Sequence, residues 1–275
     1  MAGRLQGKVA VITGASRGLG QYCAVGYARE GAKVAIAART TEQKNPELPG
    51  TIFETAELVK QAGSIALPLA CNVADYASVE AMTEAVLDEW GQIDILMNNA
   101  GILPPGSIST MQIKHWELEF KVNVNGPFYC MRAALPLMIE RGEGNIINVT
   151  SVAAFGGSHY GASKRAVEAM TEGLAAELKD KGIAVNCFKP VGGIATPGMD
   201  MGRGPRQRQQ GPDLRPGPES YVEAAVLLAM QTPDTFTGQV YHDASLINLL
   251  ADEATKERFR KENPEHWVAA MEDTR

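Results

Sequence analysis

Near its N-terminus the chain reads Lys8-Val-Ala-Val-Ile-Thr-Gly-Ala-Ser-Arg-Gly-Leu-Gly20. The run begins as a short apolar, β-branched strand and continues as a helix. Three glycines between them permit a tight turn and let the backbone approach a ligand closely. The start of the helix adds unpaired N–H groups and a partial positive charge. The stretch therefore predicts a cradle for the pyrophosphate of a dinucleotide, lined by Gly14, Ser16, Arg17, Gly18, Leu19 and Gly20.

Strands and helices alternate over the first two thirds of the chain. After the strand at 9–13, short apolar runs predict strands at 33–37, 65–69, 93–97, 145–149 and 184–188. Helical patterns lie between them, at 19–29, 55–61, 79–90, 114–141 and 162–179. Uninterrupted apolar runs indicate strands that are buried on both faces. Repeated strand–helix units predict an α/β fold, a single-domain Rossmann-type doubly wound parallel sheet with helices on both faces.

The sequence also predicts an irregular helix, the extent of the domain, a loop and a C-terminal extension. Pro136 should kink or interrupt the longest helical pattern, because proline lacks the N–H that bonds one turn back. Residues 1–245 show no composition break and are expected to form one domain with the cofactor and substrate sites. Within it, residues 198–218 are rich in glycine, proline and arginine and predict a mobile substrate loop. Residues 246–275 predict a charged, helical C-terminal extension, either solvated or in contact with another subunit.

The composition argues against several classes of function. Hydrophobic residues make up 45% and charged residues 21% of the chain, as in a globular protein with a sizeable core. A formal net charge of −6 argues against a general nucleic-acid binder. No apolar run approaches the roughly 18 residues that cross a bilayer, and residues 1–7 lack the core of a signal peptide. We therefore expect a cytoplasmic protein with no membrane and no nucleic-acid partner.

Cysteine and histidine do not predict a metal site. The cysteines are far apart and form no C-x-x-C pair, so we expect buried, reduced thiols at Cys23, Cys71, Cys130 and Cys187. The histidines show no ligand spacing.

The end of the second predicted strand bears on which dinucleotide binds. NAD sites usually place an acidic residue there to bond the ribose hydroxyls. This chain has Ala38 and then Arg39, and Arg17 adds a second cation from the cradle. A guanidinium can bind a 2′-phosphate through two hydrogen bonds. The pattern favours NADP(H) over NAD(H), although both arginines would also suit a solvated surface.

A tyrosine and a lysine follow the fifth predicted strand. Tyr160 and Lys164 are four residues apart at the start of a helix, which places both on one face. A nearby ammonium favours the phenolate, and lowering the pKa by roughly 3 units would take about 4 kcal/mol. The carboxyl ends of the strands are where α/β sheets bind ligands. The pair is therefore a candidate for proton transfer.

These motifs together resemble the classical short-chain dehydrogenase/reductase family, over about residues 7–244. The match comprises T-G-x-x-x-G-x-G at 13–20, Asn98-Asn-Ala-Gly101, Asn123-Val-Asn-Gly126, Ser151, the Tyr160/Lys164 pair and residues 186–196. The 40–51 insertion has a local likeness to bacterial hydroxysteroid dehydrogenase-like members.

The resemblance implies an NADP(H)-dependent oxidoreductase that transfers a hydride between the nicotinamide and a carbonyl or secondary alcohol. Tyr160 would be the general acid/base, and Lys164 would lower its pKa and bond the nicotinamide ribose. Ser151 would hold and polarise the carbonyl. Asn123 would fix a water in a proton relay, with Asn125 as its rival. Further cofactor contacts would come from Asn72, Val73, Asn99, Ala100, Gly101, Pro190 and Thr196. A homo-oligomer, dimer or tetramer, is also implied.

The chain departs from the family pattern around the reacting residues. Ser151 and Tyr160 are nine apart where about twelve or thirteen residues usually intervene, so the substrate pocket should be more open. His159 is expected to face away from the reacting centre. Asn72 stands where an aspartate usually bonds adenine, and one extra residue precedes Thr196. The alternatives are an NADP(H)-binding sensor or scaffold without turnover, and non-redox lyase or dehalogenase chemistry. The substrate is not specified; a formal charge of about +2 in the 198–218 loop, four arginines against two aspartates, suits an anionic substrate or a solvated loop.

Overall fold

A computed structural model describes residues 2–198 and 217–262. Its centre is a seven-stranded parallel sheet in the order β3-β2-β1-β4-β5-β6-β7. The strands are β1 Val9–Thr13, β2 Lys33–Ala38, β3 Ala66–Ala70, β4 Ile95–Asn98, β5 Gly144–Val149, β6 Ile183–Lys189 and β7 Val240–His242. The chain moves outward from β1 to β3, returns to place β4 beside β1, and continues in the other direction. The predicted doubly wound fold is confirmed.

Helices cover both faces of the sheet. One layer contains α1 Gly18–Arg29, α2 Ile52–Gln61, α7 Glu219–Ala229 and α8 Asp243–Leu250; the other contains α3 Tyr76–Trp90, α5 Gly126–Arg141 and α6 His159–Leu178. The alternation of a strand explains the two layers: Ala10 and Ile12 face the first layer, while Val9 and Val11 face the second. The remaining described helices are α4 Ile113–Phe120 and α9 Glu253–Glu262.

The predicted long helix at 114–141 is divided, but not at its proline. Helix α4 passes through a π-helical turn, Lys121–Asn125, into α5. Pro136 lies inside α5, which continues through it, so the expected interruption is wrong. The buried side of α5 packs against α3 and the sheet through residues such as Cys130 and Met138. This packing maintains the helix where one backbone hydrogen bond is lost. π turns of this kind are frequent at functional sites.

Strand β3 also differs from the expectation. It lies at the edge of the sheet and most of its residues are partly exposed, so it is not buried on both faces. Pro68 is tolerated there because an edge strand has one side without a ladder partner.

The C-terminal region continues into the core. The division expected at residue 245 falls inside α8, in which Leu246 and Ile247 are buried. Helix α9 follows. Most of the expected 198–218 loop, residues 199–216, and residues 263–275 of the extension lie outside the described residues. All four cysteines lie in the described part of the chain, buried and without disulfides, as predicted.

Candidate active site

The phosphate cradle is closed on one side by the segment that follows β4. Gly14 and Gly18 have φ values of +66° and +58°, which residues other than glycine rarely adopt. A Cβ on Gly14 would lie 2.7 Å from the Ala100 Cα, and one on Gly20 would lie 2.5 Å from Asn99 Nδ2. The Asn99 amide donates to the Thr13 carbonyl at 2.8 Å. Glycine is therefore required where the two segments touch.

The start of α1 lies in the cradle. Arg17 occupies the N-cap position, and its own side chain makes no capping hydrogen bond. On the other side of the cradle, a Cβ on Gly18 would lie 3.4 Å from Thr196 Cβ. The space beside Gly14–Gly20 thus combines close backbone approach with available N–H groups, and it fits a pyrophosphate.

Both predicted arginines line one cavity. Its volume is about 180 Å³ and its walls are Arg17, Arg39, Thr40, Thr41, Glu42, Lys44, Asn45 and Leu48. Arg17 Nη2 donates to the Gly50 carbonyl at 2.8 Å, while its buried Nε has no hydrogen-bond partner among the described residues. Burial lowers the pKa of Arg17. The 40–51 insertion therefore places the guanidinium of Arg17 against a cavity at the end of β2.

The predicted adenine contacts lie after β3. The Asn72 side-chain oxygen accepts from Ala74 N at 3.3 Å and the Asn72 N–H donates to Ser78 Oγ at 3.0 Å, so both groups shape the turn before α3. Val73 packs against Gly126, where a Cβ would lie 2.9 Å from Val73 Cγ2.

The predicted site residues all lie at the carboxyl edge of the sheet, where the chain order reverses between β1 and β4. They are Gly14, Ser16, Arg17, Gly18, Leu19, Gly20, Arg39, Asn72, Val73, Asn99, Ala100, Gly101, Asn123, Ser151, Tyr160, Lys164, Pro190 and Thr196.

The candidate reacting centre consists of Ser151, Tyr160 and Lys164. It lies where β5 ends and α6 begins. Lys164 is buried, its Nζ donates to the Val149 carbonyl at 2.9 Å, and it lies 5.7 Å from the centre of the Tyr160 ring. A Cβ on Gly101 would lie 3.4 Å from the same Nζ, so the lysine faces the segment beside the cradle. Ser151 lies near enough to the Tyr160 hydroxyl to lower its pKa. The three side chains predicted to act together are neighbours.

The pKa of Tyr160 differs from the expectation that Lys164 would lower it. Burial raises the pKa of Tyr160 to about 12, the negative charge of Glu119 adds to the rise, and the nearby hydroxyl of Ser151 opposes it. Burial lowers the pKa of Lys164 to about 8. The expected lowering of the tyrosine pKa by Lys164 is therefore not produced by the protein's own groups. Desolvation, which favours the neutral form of both side chains, is the largest cause of both shifts.

Asn123 lies in the π-helical turn and its side chain is fully engaged. Its Oδ1 accepts from Ile102 N at 2.8 Å, and its Nδ2 donates to the Ile102 carbonyl at 2.9 Å and to Ser163 Oγ at 3.1 Å. The side chain thus joins the segment after β4 to α6, and any contact of Asn123 with a relay water would fall to its backbone. Asn125, the alternative, is only partly buried.

The short loop between Ser151 and Tyr160 folds tightly onto α6. It forms a 3₁₀ turn, Val152–Phe155. Ser151 is the N-cap of this turn, and its Oγ accepts a hydrogen bond from Ala153 N at 3.2 Å. A Cβ on Gly161 would lie 2.2 Å from the Ala153 carbonyl, so glycine allows the loop to lie directly on the helix. The shortened loop is accommodated at Gly161 and still brings Ser151 to Tyr160.

Two buried acids at the site were not identified from the sequence. Glu119 of α4 contacts His159 Nδ1 at 2.6 Å, and the Gly106 carbonyl contacts Nε2 at 2.9 Å, so both ring nitrogens of His159 have partners other than Tyr160, Ser151 and Lys164. Asp243 accepts from Val191 N at 2.9 Å and from Ser220 Oγ at 2.8 Å. Glu119 precedes Asn123 by four residues, and this spacing is the one local signal that it shares the Asn123 face.

Across residues 2–198 and 217–262 no helix is both long and apolar enough to span a membrane. The same ranges contain no group of three or more His, Cys, Asp or Glu side chains placed to hold a metal ion.

Fold and site together define a class of protein: a doubly wound dinucleotide-binding protein with a tyrosine–lysine pair beside its cradle. The family model for short chain dehydrogenases matches residues 8–206. An uncharacterized oxidoreductase of Staphylococcus saprophyticus is 33% identical over 234 residues, 83% of this chain and 93% of the relative. The chain belongs to the short-chain dehydrogenase/reductase family, as its motifs predict.

Two further similarities extend this result. Hydroxysteroid dehydrogenase-like protein 2 of Mus musculus is 32% identical over 262 residues, which are 92% of this chain but 51% of that protein. The chain thus spans about half the length of this relative. A solved 7α-hydroxysteroid dehydrogenase, complexed with NADH and 7-oxo glycochenodeoxycholic acid, is 28% identical with a TM-score of 0.76, and the match covers 87% of this chain and 93% of that one.

Proposed function

We propose that this chain is an NADP(H)-dependent oxidoreductase that interconverts a carbonyl group and a secondary alcohol. The observation that carries the proposal is the contact between Ser151 and Tyr160, with buried Lys164 beside them, at the edge of the sheet that holds the cradle. The residues of the cradle fit the cofactor because Arg17 makes no side-chain capping hydrogen bond at the start of α1, and a Cβ on Gly18 would meet only Thr196 within 4 Å among the described residues. When bound, the nicotinamide supplies or accepts the hydride.

The residues of the chain handle the proton and the orientation of the carbonyl. In reduction, the carbonyl carbon gains a hydride and its oxygen gains the proton of Tyr160. With a pKa raised to about 12, Tyr160 is a phenol at neutral pH and ready to donate. Ser151 orients the same oxygen by hydrogen bonding. Lys164, with a pKa of about 8, carries most of its charge at neutral pH and stabilises the phenolate that forms.

The preference for NADP(H) rests on the cavity at the end of β2. Arg17, Arg39 and Lys44 line it, and Glu42 is its only acid among the lining residues. Replacing Arg39→Asp together with Arg17→Ala should lower the NADPH/NADH ratio of kcat/KM about 100-fold, because two charge-assisted contacts are lost. Arg29→Asp, on the exposed end of α1, is the control for the same charge change as Arg39→Asp at a site outside the cavity. An unchanged ratio in the double variant would remove the preference.

A panel of ketones, aldehydes and secondary alcohols tests the reaction itself. NADPH consumption with ketones and NADP⁺ reduction with alcohols are followed by absorbance, and turnover with at least one pair is expected. Tight NADPH binding without turnover across the panel would favour the alternative of a cofactor-binding sensor or scaffold.

Assembly and location complete the proposal. Phe128 and Ile139 of α5 are half-exposed apolar side chains, which supports a homo-oligomer, a dimer or tetramer, as relatives of this family commonly form. Light scattering at several concentrations tests assembly. The cytoplasmic location is tested by fractionating cells that express the chain.

A further inference from the structure

Glu119 and His159 form a buried pair beside the reacting centre that the proposed reaction does not use. Glu119 is 0% and His159 4% exposed. The carboxylate lies on α4 and contacts His159 Nδ1 at 2.6 Å, at the first residue of α6. His159 Nε2 contacts the Gly106 carbonyl at 2.9 Å. The pair therefore links three segments: α4, α6 and the loop that leaves β4.

The pair is held together by hydrogen bonds as well as packing. Each ring nitrogen of His159 lies at hydrogen-bond distance from one oxygen, Nδ1 from the Glu119 carboxylate and Nε2 from the Gly106 carbonyl. Removing one partner alone would leave a buried polar group unsatisfied.

The second oxygen of Glu119 extends the link toward the other site residues. Ser163 Oγ lies 3.2 Å from Glu119 Oε1 and also accepts from Asn123 Nδ2 at 3.1 Å. Asn123 in turn binds the backbone of Ile102. The loop at 102–106 is thus attached at both of its ends: at Ile102 through Asn123 and at Gly106 through His159.

This loop lies beside the residues of the proposed reacting centre. It begins directly after the segment that packs on the cradle, and its far end is attached to the residue next to Tyr160. Leu103 within it is 63% exposed and apolar. A substrate that reaches Tyr160 between this loop and the 152–158 loop meets a wall whose position depends on Gly106.

We propose that Glu119 and His159 are positioning residues that hold the 102–106 loop as the substrate-pocket wall. This rests on the proposed function for its kinetic consequence, and on the hydrogen bonds alone for its structural one. The pair acts through the loop and does not touch the reacting atoms.

The decisive variants change the hydrogen bonds with and without a change in shape. Glu119→Met with His159→Phe replaces both partners by apolar side chains and leaves no unpaired charge. Glu119→Gln keeps the shape and can donate from its amide to His159 Nδ1, so it is the conservative rescue. Asp94→Asn is the matched control: Asp94 is a buried carboxylate, paired with Arg141 at 2.7 Å at the opposite end of the sheet.

Hydrogen exchange of the peptide that covers residues 101–111 gives a readout that needs no substrate. The double variant should exchange about tenfold faster there, whereas Glu119→Gln and Asp94→Asn should match the wild type. With any carbonyl compound that turns over, the double variant should show a KM about tenfold higher and an unchanged Kd for NADPH.

Each result decides the inference. A wild-type exchange rate at residues 101–111 in the double variant would overturn the positioning role. The same would follow if Glu119→Gln exchanged there as fast as the double variant. If no carbonyl compound turns over, the proposed function fails and the exchange experiment alone still decides the role of the pair. If turnover is present but the KM of the double variant is unchanged, the positioning role fails while the proposed reaction stands.

Discussion

The phosphate cradle and the reacting centre share one edge of the sheet but are built in opposite ways. The cradle, residues 13–20, is defined by missing side chains, because backbone atoms of the segment after β4 occupy the space that a Cβ at Gly14 would need. The reacting centre is defined by buried polar side chains that each require a partner, such as Lys164 with the Val149 carbonyl. One region is specified by local sequence, and the other by contacts between distant segments.

This difference predicts different consequences of substitution. Changes in the cradle should act on folding and cofactor binding together, because the same backbone serves both. Changes in the reacting centre should separate turnover from binding. Three experiments test this contrast, in order of decreasing expected effect.

Tyr160→Phe should have the largest effect. It removes the only proton that the proposed reaction delivers and leaves the cradle intact, so kcat should fall about 10²–10⁴-fold. The Kd for NADPH, measured by fluorescence titration, should stay within about twofold. Retention of more than a tenth of the activity would exclude Tyr160 as the proton donor.

Gly14→Ala should destabilise the fold and abolish tight NADPH binding. The positive φ costs about 1–2 kcal/mol, and the clash with Ala100, whose Cα would lie 2.7 Å away, adds a similar amount. Gly7→Ala is the matched control, because Gly7 has a φ of +80° and nothing within 4 Å of its added Cβ. Urea unfolding and NADPH titration of both variants separate the backbone cost from the clash. Equal losses in the two variants would contradict the packing argument.

The smallest of the three effects should be the change of kcat/KM for reduction with pH. Because the pKa of Lys164 is lowered to about 8, kcat/KM for NADPH should fall as the pH rises through about 8 and the ammonium loses its charge. Tyr160, with a pKa of about 12, stays protonated over this range. Lys164→Arg, if it folds, should remove the fall because a guanidinium stays charged. A flat profile in the wild type between pH 7 and 9 would contradict the assignment.

Much of the fold follows from the sequence because buried parallel strands are continuous apolar runs. Strand β1 begins and ends as predicted, and β6 is longer by one residue at each end. The edge position of β3 was not predictable, because the order of strands in a sheet depends on contacts between distant segments. Its partial exposure follows from having a neighbouring strand on one side only. The continuity of α5 through Pro136 was not predictable either, because it depends on packing against α3 and β4.

The site shows the same division. The glycines of the cradle and the Tyr160/Lys164 spacing are local patterns, and the structure brings them together. Glu119 and Asp243 contact partners far along the chain, His159 and Val191, so the spacing of Glu119 and Asn123 is the only local pattern that points to either acid. The raised pKa of Tyr160 has a similar origin, because it depends on burial by segments that are distant in sequence.

The carboxylate of Asp243 joins two points of the chain that frame residues 192–219, since it binds both Val191 and Ser220. A carboxylate that accepts from the chain after β6 and from the first turn of α7 holds those two points at a fixed separation. Thr196, five residues beyond Val191, lies beside Gly18 of the cradle. Asp243 therefore helps to hold the segment that borders the cradle, although it lies more than 220 residues from Gly18 in the sequence.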